Sequence, residues 1–183
     1  VGLINAILAF KNIQQTKGYI ADLAADLEIN TLKRKIGKQD HYAASYGGIN
    51  EITFNKNDTV KVDPVFYQKN VVNTLEKNFI LIYTKIQRNA SKIIKNIDFK
   101  SKNETLSKMV QQVESFRKIF EGKSKITNIG KLLDQGWTYK KKLSSKNISN
   151  FKIDKMYSLA KKNGAKGGKI CGAGGGGFLL LYV

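Results

Sequence analysis

One cysteine, Cys171, and one histidine, His41, are all that these 183 residues hold of the groups that build disulfides and zinc sites. A lone thiol closes no internal disulfide and makes no metal framework. With a single histidine, a zinc centre or a Ser-His-Asp triad is close to excluded. Arginine is scarce too, at Arg34, Arg88 and Arg117 only. Base-edge reading in the DNA major groove leans on bidentate arginine, so a sequence-specific DNA reader is disfavoured. No apolar run is long enough to span a membrane, and no charged, apolar and small-residue leader opens the chain. The expectation is a cytoplasmic protein with no membrane partner. Proline occurs once, at Pro64, where it marks the edge or end of a strand.

What is present is ordinary in bulk and skewed in charge. Hydrophobic residues make up 42% and charged residues 25%, as in a globular protein with a real core. Lysine plus arginine number 32 against 14 acidic residues, a net charge of +18. That balance suits nucleic acid, an acidic membrane surface or phosphorylated small molecules. The lysines are scattered apart from a cluster at Lys140, Lys141 and Lys142. A solvated lysine-rich surface is the plainer reading, with only nonspecific, salt-sensitive attraction to nucleic acid.

Periodicity lays out the elements. Val1 to Phe10 is apolar nearly all round, as in a helix buried on most sides, and it has no cap or initiator Met. Phe178 to Val183 reads as a buried strand at the other end of the chain. Both features lead to the expectation of further sequence beyond each end. A helix is expected from Lys17 to about Lys35, capped by Thr16 and ended by Gly37. A short helical segment starts near Asp40 and closes at Gly47 and Gly48. Strands follow at Ile49–Phe54 and Thr59–Val65, joined by a turn at Asn55–Asp58. Tyr67 to Asn78 reads as a helix and Phe79 to Thr84 as a fully buried strand. Residues 85–162 are mostly helical, with breaks near Asp98, Gly122 and Gly136. The division drawn is residues 1–70 and 71–183.

Three signals bear on chemistry. Gly164 to Phe178 holds eight glycines in fifteen residues and runs into a strand. Glycine lets successive backbone N–H groups converge on one point, a concave site for phosphate. A tight turn or a close backbone approach is the structural alternative. Gly172, Gly174 and Gly177 satisfy G-x-G-x-x-G, but a dinucleotide loop follows a strand and opens a helix, whereas this one precedes a strand. Gly122-Lys123-Ser124 resembles the end of a Walker A loop, yet Arg117 stands where its first glycine belongs. Protein-kinase signatures are absent. The second signal is Gly37-Lys38-Gln39-Asp40, where Asp40 is either a helix cap or a base held by neighbouring cation and amides. The third is Glu28, either a solvated helix residue or one carboxylate of a magnesium site.

Taken in order, IGKQDHYAASYGGIN and GAKGGKICGAGGGGFLLLY resemble the central and third motifs of the GHMP kinases. Trp137-Thr-Tyr-Lys140, Leu143, Ile148-Ser149-Asn150 and Ile153-Asp154 are similar to the branch that phosphorylates D-glycero-D-manno-heptose 7-phosphate. The resemblance covers essentially the whole chain. It implies an α+β, two-domain fold whose C-terminal domain is ferredoxin-like and whose N-terminal domain is only partly present. It implies ATP and Mg2+, a phosphorylated sugar as partner, and transfer of the γ-phosphoryl group to the anomeric hydroxyl. Asp40 falls at the acidic catalytic position and Glu28 at the magnesium-binding glutamate. Gly172, Ala173, Gly174, Gly175 and Gly176 fall at the third motif. Lys38, Gln39, Gly47, Gly48 and Arg88 are the candidates for binding substrate. The family's main phosphate loop, expected just before Val1, is not in the chain, which on this view is inactive alone. Two departures stand out: His41 replaces a usual glutamine, and Lys85 sits where Tyr-Thr-Gly is usual. The alternatives are a GHMP kinase for fucose or galactose, or a non-catalytic nucleotide- or nucleic-acid-binding relic.

Overall fold

The computed structural model describes residues 1–88, 93, 99–144 and 148–183. The chain divides into two compact units, Val1–Val65 and Phe66–Val183. The expected break near Asp98 lies outside the described residues.

The first unit carries helices α1 (Gly2–Phe10), α2 (Lys17–Asp26) and α3 (Gln39–Tyr46) and a hairpin of β1 (Asn50–Phe54) and β2 (Val60–Pro64). Thr16 caps α2 as its chemistry predicts, its Oγ1 accepting from Tyr19 N–H at 3.1 Å. The α-helix stops at Asp26, short of the expected Lys35, and the chain continues as a π-helical turn over Leu27–Thr31. Ile20, Ala21, Ala24 and Ala25 bury one face of α2. Small alanines let α3 approach, and three bonds fasten the pair. Tyr42 donates to Asp22 Oδ1 at 2.5 Å, Ser45 to Lys17 O at 2.6 Å, and Lys17 Nζ to Tyr46 O at 3.0 Å. Burial and the Asp22 carboxylate together push the Tyr42 phenol far above its ordinary pKa. Helix α1 departs from expectation: Leu3 and Phe10 are 75% and 89% exposed, because its apolar side meets little within the unit.

The second unit contains α4 (Lys69–Asn78), β3 (Phe79–Tyr83), α5 (Asn103–Phe120), α6 (Asn128–Leu143), α7 (Phe151–Lys162), β4 (Gly167–Ile170) and β5 (Phe178–Tyr182). Its strands form an antiparallel sheet in the order β3-β5-β4. Phe79 faces Tyr182 across one pair and Gly167 faces Tyr182 across the other. Both outer strands run against β5, so they are parallel to each other with β5 inserted between. That is the split βαβ arrangement of ferredoxin-like domains, three strands of it among the described residues. Trp137, Ile148, Ile153, Ile170 and Leu179 form the core between helices and sheet. Strand β3 exists as predicted but is not buried: Ile80, Leu81 and Tyr83 are 45%, 57% and 48% exposed. Among the described residues it pairs with β5 alone, and its apolar run signals β-propensity rather than burial.

Two glycine readings change. Gly136 does not break a helix but lies inside α6, where a side chain would press Gln112 Oε1 at 3.1 Å. It permits α5 and α6 to pack closely. Gly167 and Gly168 belong to strand β4, not to a phosphate loop. A Cβ on Gly167 would sit 1.8 Å from Gly130 O, and one on Gly168 would sit 2.2 Å from Leu180 O. Gly167 lets α6 lie directly on the sheet, and Gly168 lets β4 lie close against β5. Among the described residues no helix is long and apolar enough to cross a membrane.

Candidate active site

In the first unit Glu28 meets His41, the residue that follows Asp40 in α3. Glu28 sits in the π-helical turn, a feature often found at functional positions. Its Oε2 lies 3.4 Å from Arg34 Nη1 and 3.8 Å from His41 Nε2. His41 is buried, so its departure from the family pattern is a packed imidazole against the glutamate, not a solvated one. Its Nδ1 has no hydrogen-bond partner among the described residues. Asp40, one residue earlier, is exposed in the first turn of α3. The N-cap position is Lys38, and no side chain caps the helix. Asp40 is therefore not a cap, and among the described residues its carboxylate has no hydrogen-bond or ion-pair partner.

Lys38 and Gln39, with Gly37, line a cleft of about 400 Å³ closed on the other side by Phe54, Asn55 and the Asp58–Val60 segment. Gly47 and Gly48 are not part of its lining. At φ of 65° and 70° they turn the chain from α3 into the hairpin, a conformation that favours glycine.

In the second unit the loop from Gly172 to Gly177 crosses the end of the β4–β5 hairpin. Gly172, Gly174, Gly175 and Gly177 all have positive φ, from 63° to 101°. Its supports face inward. Arg88 Nη1 donates to Gly174 O at 2.6 Å and Nη2 to Cys171 O at 2.9 Å. Gly175 N–H donates to Ile148 O at 2.7 Å and Gly177 N–H to Ile86 O at 2.9 Å. Lys140 Nζ donates to Gly172 O. With these carbonyls turned inward, the N–H groups of Gly172, Ala173, Gly174 and Gly176 have no acceptor among the described residues. Successive N–H groups in such left-handed turns are the kind of backbone donor that can bind an anion. Arg88, a candidate for the substrate, bonds the loop's carbonyls at Gly174 and Cys171. Lys85, with φ of 56°, adopts the glycine-like turn that leads into Arg88.

The segments that resembled the heptose branch surround this loop. Ile148 packs where a Cβ on Gly174 would fall, 2.9 Å away. Asn150 caps α7, accepting from Ile153 N–H at 3.1 Å. Ser149 Oγ donates to Asp154 Oδ1 at 2.9 Å, and Lys141 Nζ lies 3.3 Å from the same oxygen. Sequence reading missed this supporting role, because the bonds that tie Asn150 and Arg88 to the loop join residues 25 and 86 apart and nothing local marks them.

Lys140 is partly buried in the last turn of α6. Burial first, and then the cations Lys169 and Arg88, lower its pKa to about 8. The folded chain thus holds fewer protons than the unfolded one between about pH 8 and the ordinary lysine range, so stability rises with pH through that window. At pH 8 roughly half of the Lys140 amine is neutral, against under about 1% for a solvated lysine. An amine-acylating reagent is expected to modify Lys140 at least about ten times faster than exposed lysines. Peptide mass spectrometry over pH 7–9 measures this, and equal labelling of all lysines would contradict it.

Residues 114–182 match the family described as GHMP kinases C terminal. The whole chain is 33% identical to D-glycero-alpha-D-manno-heptose 7-phosphate kinase of Campylobacter jejuni, covering 55% of that protein. It is 27% identical to mevalonate kinase of Methanocaldococcus jannaschii, covering 54%. Among solved structures it is similar to a D-glycero-D-manno-heptose 1-phosphate kinase from Bacteroides thetaiotaomicron. That pair shares 25% identity and a TM-score of 0.65, over 97% of this chain and 48% of the other. The chain spans about half the length of the relatives it matches.

Proposed function

We propose that this chain, whose residues 114–182 match the family described as GHMP kinases C terminal, belongs to an ATP-dependent sugar kinase. The transfer runs from the γ-phosphoryl of ATP to the anomeric hydroxyl of D-glycero-D-manno-heptose 7-phosphate, giving the 1,7-bisphosphate. The observation that carries this reading is the Gly172–Gly177 loop, whose unbonded N–H groups and rear cationic clamps suit phosphate. The 33% identity to the heptose 7-phosphate kinase supports the choice of substrate.

Phosphoryl transfer passes through a loose, highly charged transition state, so positioning and neutralisation dominate catalysis. Asp40 is the free, exposed carboxylate that would orient the anomeric hydroxyl and accept its proton. Glu28 suits Mg2+, since it offers a hard oxygen, and Arg34 and His41 stand at 3.4 and 3.8 Å from it, beyond strong hydrogen-bond distance. Bound there, the ion would neutralise charge on the phosphate oxygens. His41 would hold the Glu28 carboxylate from behind. Lys38 and Gln39 line a cleft large enough for a sugar. The loop amides would take a phosphate group.

The test is a coupled ADP-release assay on the full-length protein with ATP, Mg2+ and the heptose 7-phosphate, with phosphorus NMR of the product. A new anomeric phosphate resonance is expected. Preference for mevalonate, galactose or fucose would move the protein elsewhere in the family. Absence of any transfer would favour a binding role.

A further inference from the structure

Gly122-Lys123-Ser124, the run that resembled the end of a Walker A loop, lies between α5 and α6. Its setting is not that of a nucleotide loop, because a helix rather than a strand precedes it and Lys123 Nζ is bonded to Glu121 Oε2 at 2.6 Å. Ser124, by contrast, lines a cleft of about 310 Å³ in the second unit. That volume falls within the roughly 300–1,000 Å³ of small-molecule sites. Ser115, Lys118 and Ile119 line it from α5, at helical spacing i, i+3 and i+4. Asn128, Lys131, Leu132 and Gln135 line it from the start of α6, again on one helix face. Gln112 Nε2 donates to Leu132 O at 3.4 Å and ties the two walls together.

The polar groups of this cleft are short of partners, and no carboxylate lines it. Lys118 Nζ stands 3.6 Å from Glu114 Oε1, an exposed and weak pair. Ser124 Oγ accepts from Asn128 Nδ2 at 3.1 Å and keeps its own O–H to donate. Ser115, Lys131 and Gln135 have no hydrogen bond or ion pair among the described residues. At the start of α6 no side chain caps the helix, so the positive end of its dipole is left uncompensated there. We propose that the cleft binds a phosphate monoester. Two lysines from separate helices balance a dianion, and the hydroxyl and amide side chains donate to its oxygens. Ile119 and Leu132 offer apolar surface to the carbon body of the ester. The site is independent of the sugar-kinase reading and separate from the glycine loop. Asn128 and Lys140, which bonds Gly172 O, lie near opposite ends of α6, about 18 Å apart along its axis.

Two-dimensional amide NMR spectra test this residue by residue, at constant ionic strength, with phenyl phosphate, inorganic phosphate and phenol as probes. Phenyl phosphate is expected to give saturable shifts at the amides of Ser124 and of Asn128 to Lys131. Inorganic phosphate should move the same amides with about tenfold weaker affinity, since it leaves the apolar surface uncovered. Phenol should leave them in place. Lys131→Gln should weaken phenyl phosphate binding about tenfold, and Lys118→Gln comparably. Both side chains are exposed, so neither substitution endangers the fold. Shifts at Gly172 to Gly176 would report binding at the glycine loop and should be the same in both variants. Spectra in which Ser124 and Asn128 to Lys131 do not respond overturn the site, as do responses that neither substitution weakens. Phenol acting as strongly as phenyl phosphate would make it an apolar cleft only. Inorganic phosphate binding as tightly as the ester would overturn the choice of a monoester.

Discussion

Replacing Asp40 by asparagine is expected to lower turnover of the full-length protein by roughly 10²–10⁴-fold while leaving ATP affinity nearly unchanged. The substitution is gentle to the fold. Asp40 is exposed in the first turn of α3, and it is not the capping residue. Removing its charge there forfeits only the helix-dipole contribution, about 0.3–1 kcal/mol. Asparagine keeps the shape and one hydrogen bond but cannot accept the proton of the attacking hydroxyl. Glu28→Gln should behave differently, raising the magnesium concentration needed for half-maximal rate while the base stays in place. Steady-state kinetics of both variants across a magnesium series separate the two roles. Near-normal turnover of Asp40→Asn with a collapse in ATP affinity would make Asp40 a nucleotide contact instead.

Local chemistry made much of this legible. The Thr16 cap, the Asn55–Asp58 turn and the helix ends at Gly47 and Gly122 are each fixed by one residue and its immediate neighbours. Where burial depended on distant partners, pattern failed. The apolar runs of α1 and β3 look alike to a hydrophobicity scale whether or not anything covers them, and here both are largely exposed. Glycine was ambiguous for the same reason. At Gly136, Gly167 and Gly168 it serves close packing against residues far away in sequence. At Gly172, Gly174, Gly175 and Gly177 it serves positive φ. Composition merges the two uses. Arg88 shows the limit most clearly: its partners Cys171 and Gly174 lie more than 80 residues along, so a lone arginine after a strand reads as a free cation.

Gly167→Ala is expected to destabilise the second unit by at least roughly 3 kcal/mol, at or beyond the upper range for overpacking. Its added methyl would sit 1.8 Å from Gly130 O, 2.7 Å from Gly130 C and 3.0 Å from Asp134 Cβ. The first two are backbone atoms of α6, which no rotamer change can move. Relief requires lifting the helix from β4. Asp134 would move with it, and it accepts the Tyr157 hydroxyl and lies 3.5 Å from Lys161 Nζ, both on α7. Burial and the Asp134 carboxylate raise the Tyr157 pKa well above the usual phenol range, so that contact is a shielded one. Displacing α6 therefore disturbs a second helix and the Trp137 core. A loss of that size corresponds to a fall in melting temperature of roughly 6–12 °C. Gly37→Ala is the control, because nothing lies within 4 Å of its added methyl and its φ is not positive. Thermal unfolding followed by Trp137 fluorescence measures both variants. A melting temperature for Gly167→Ala as high as that of the control would mean that α6 does not rest on the sheet through glycine contacts.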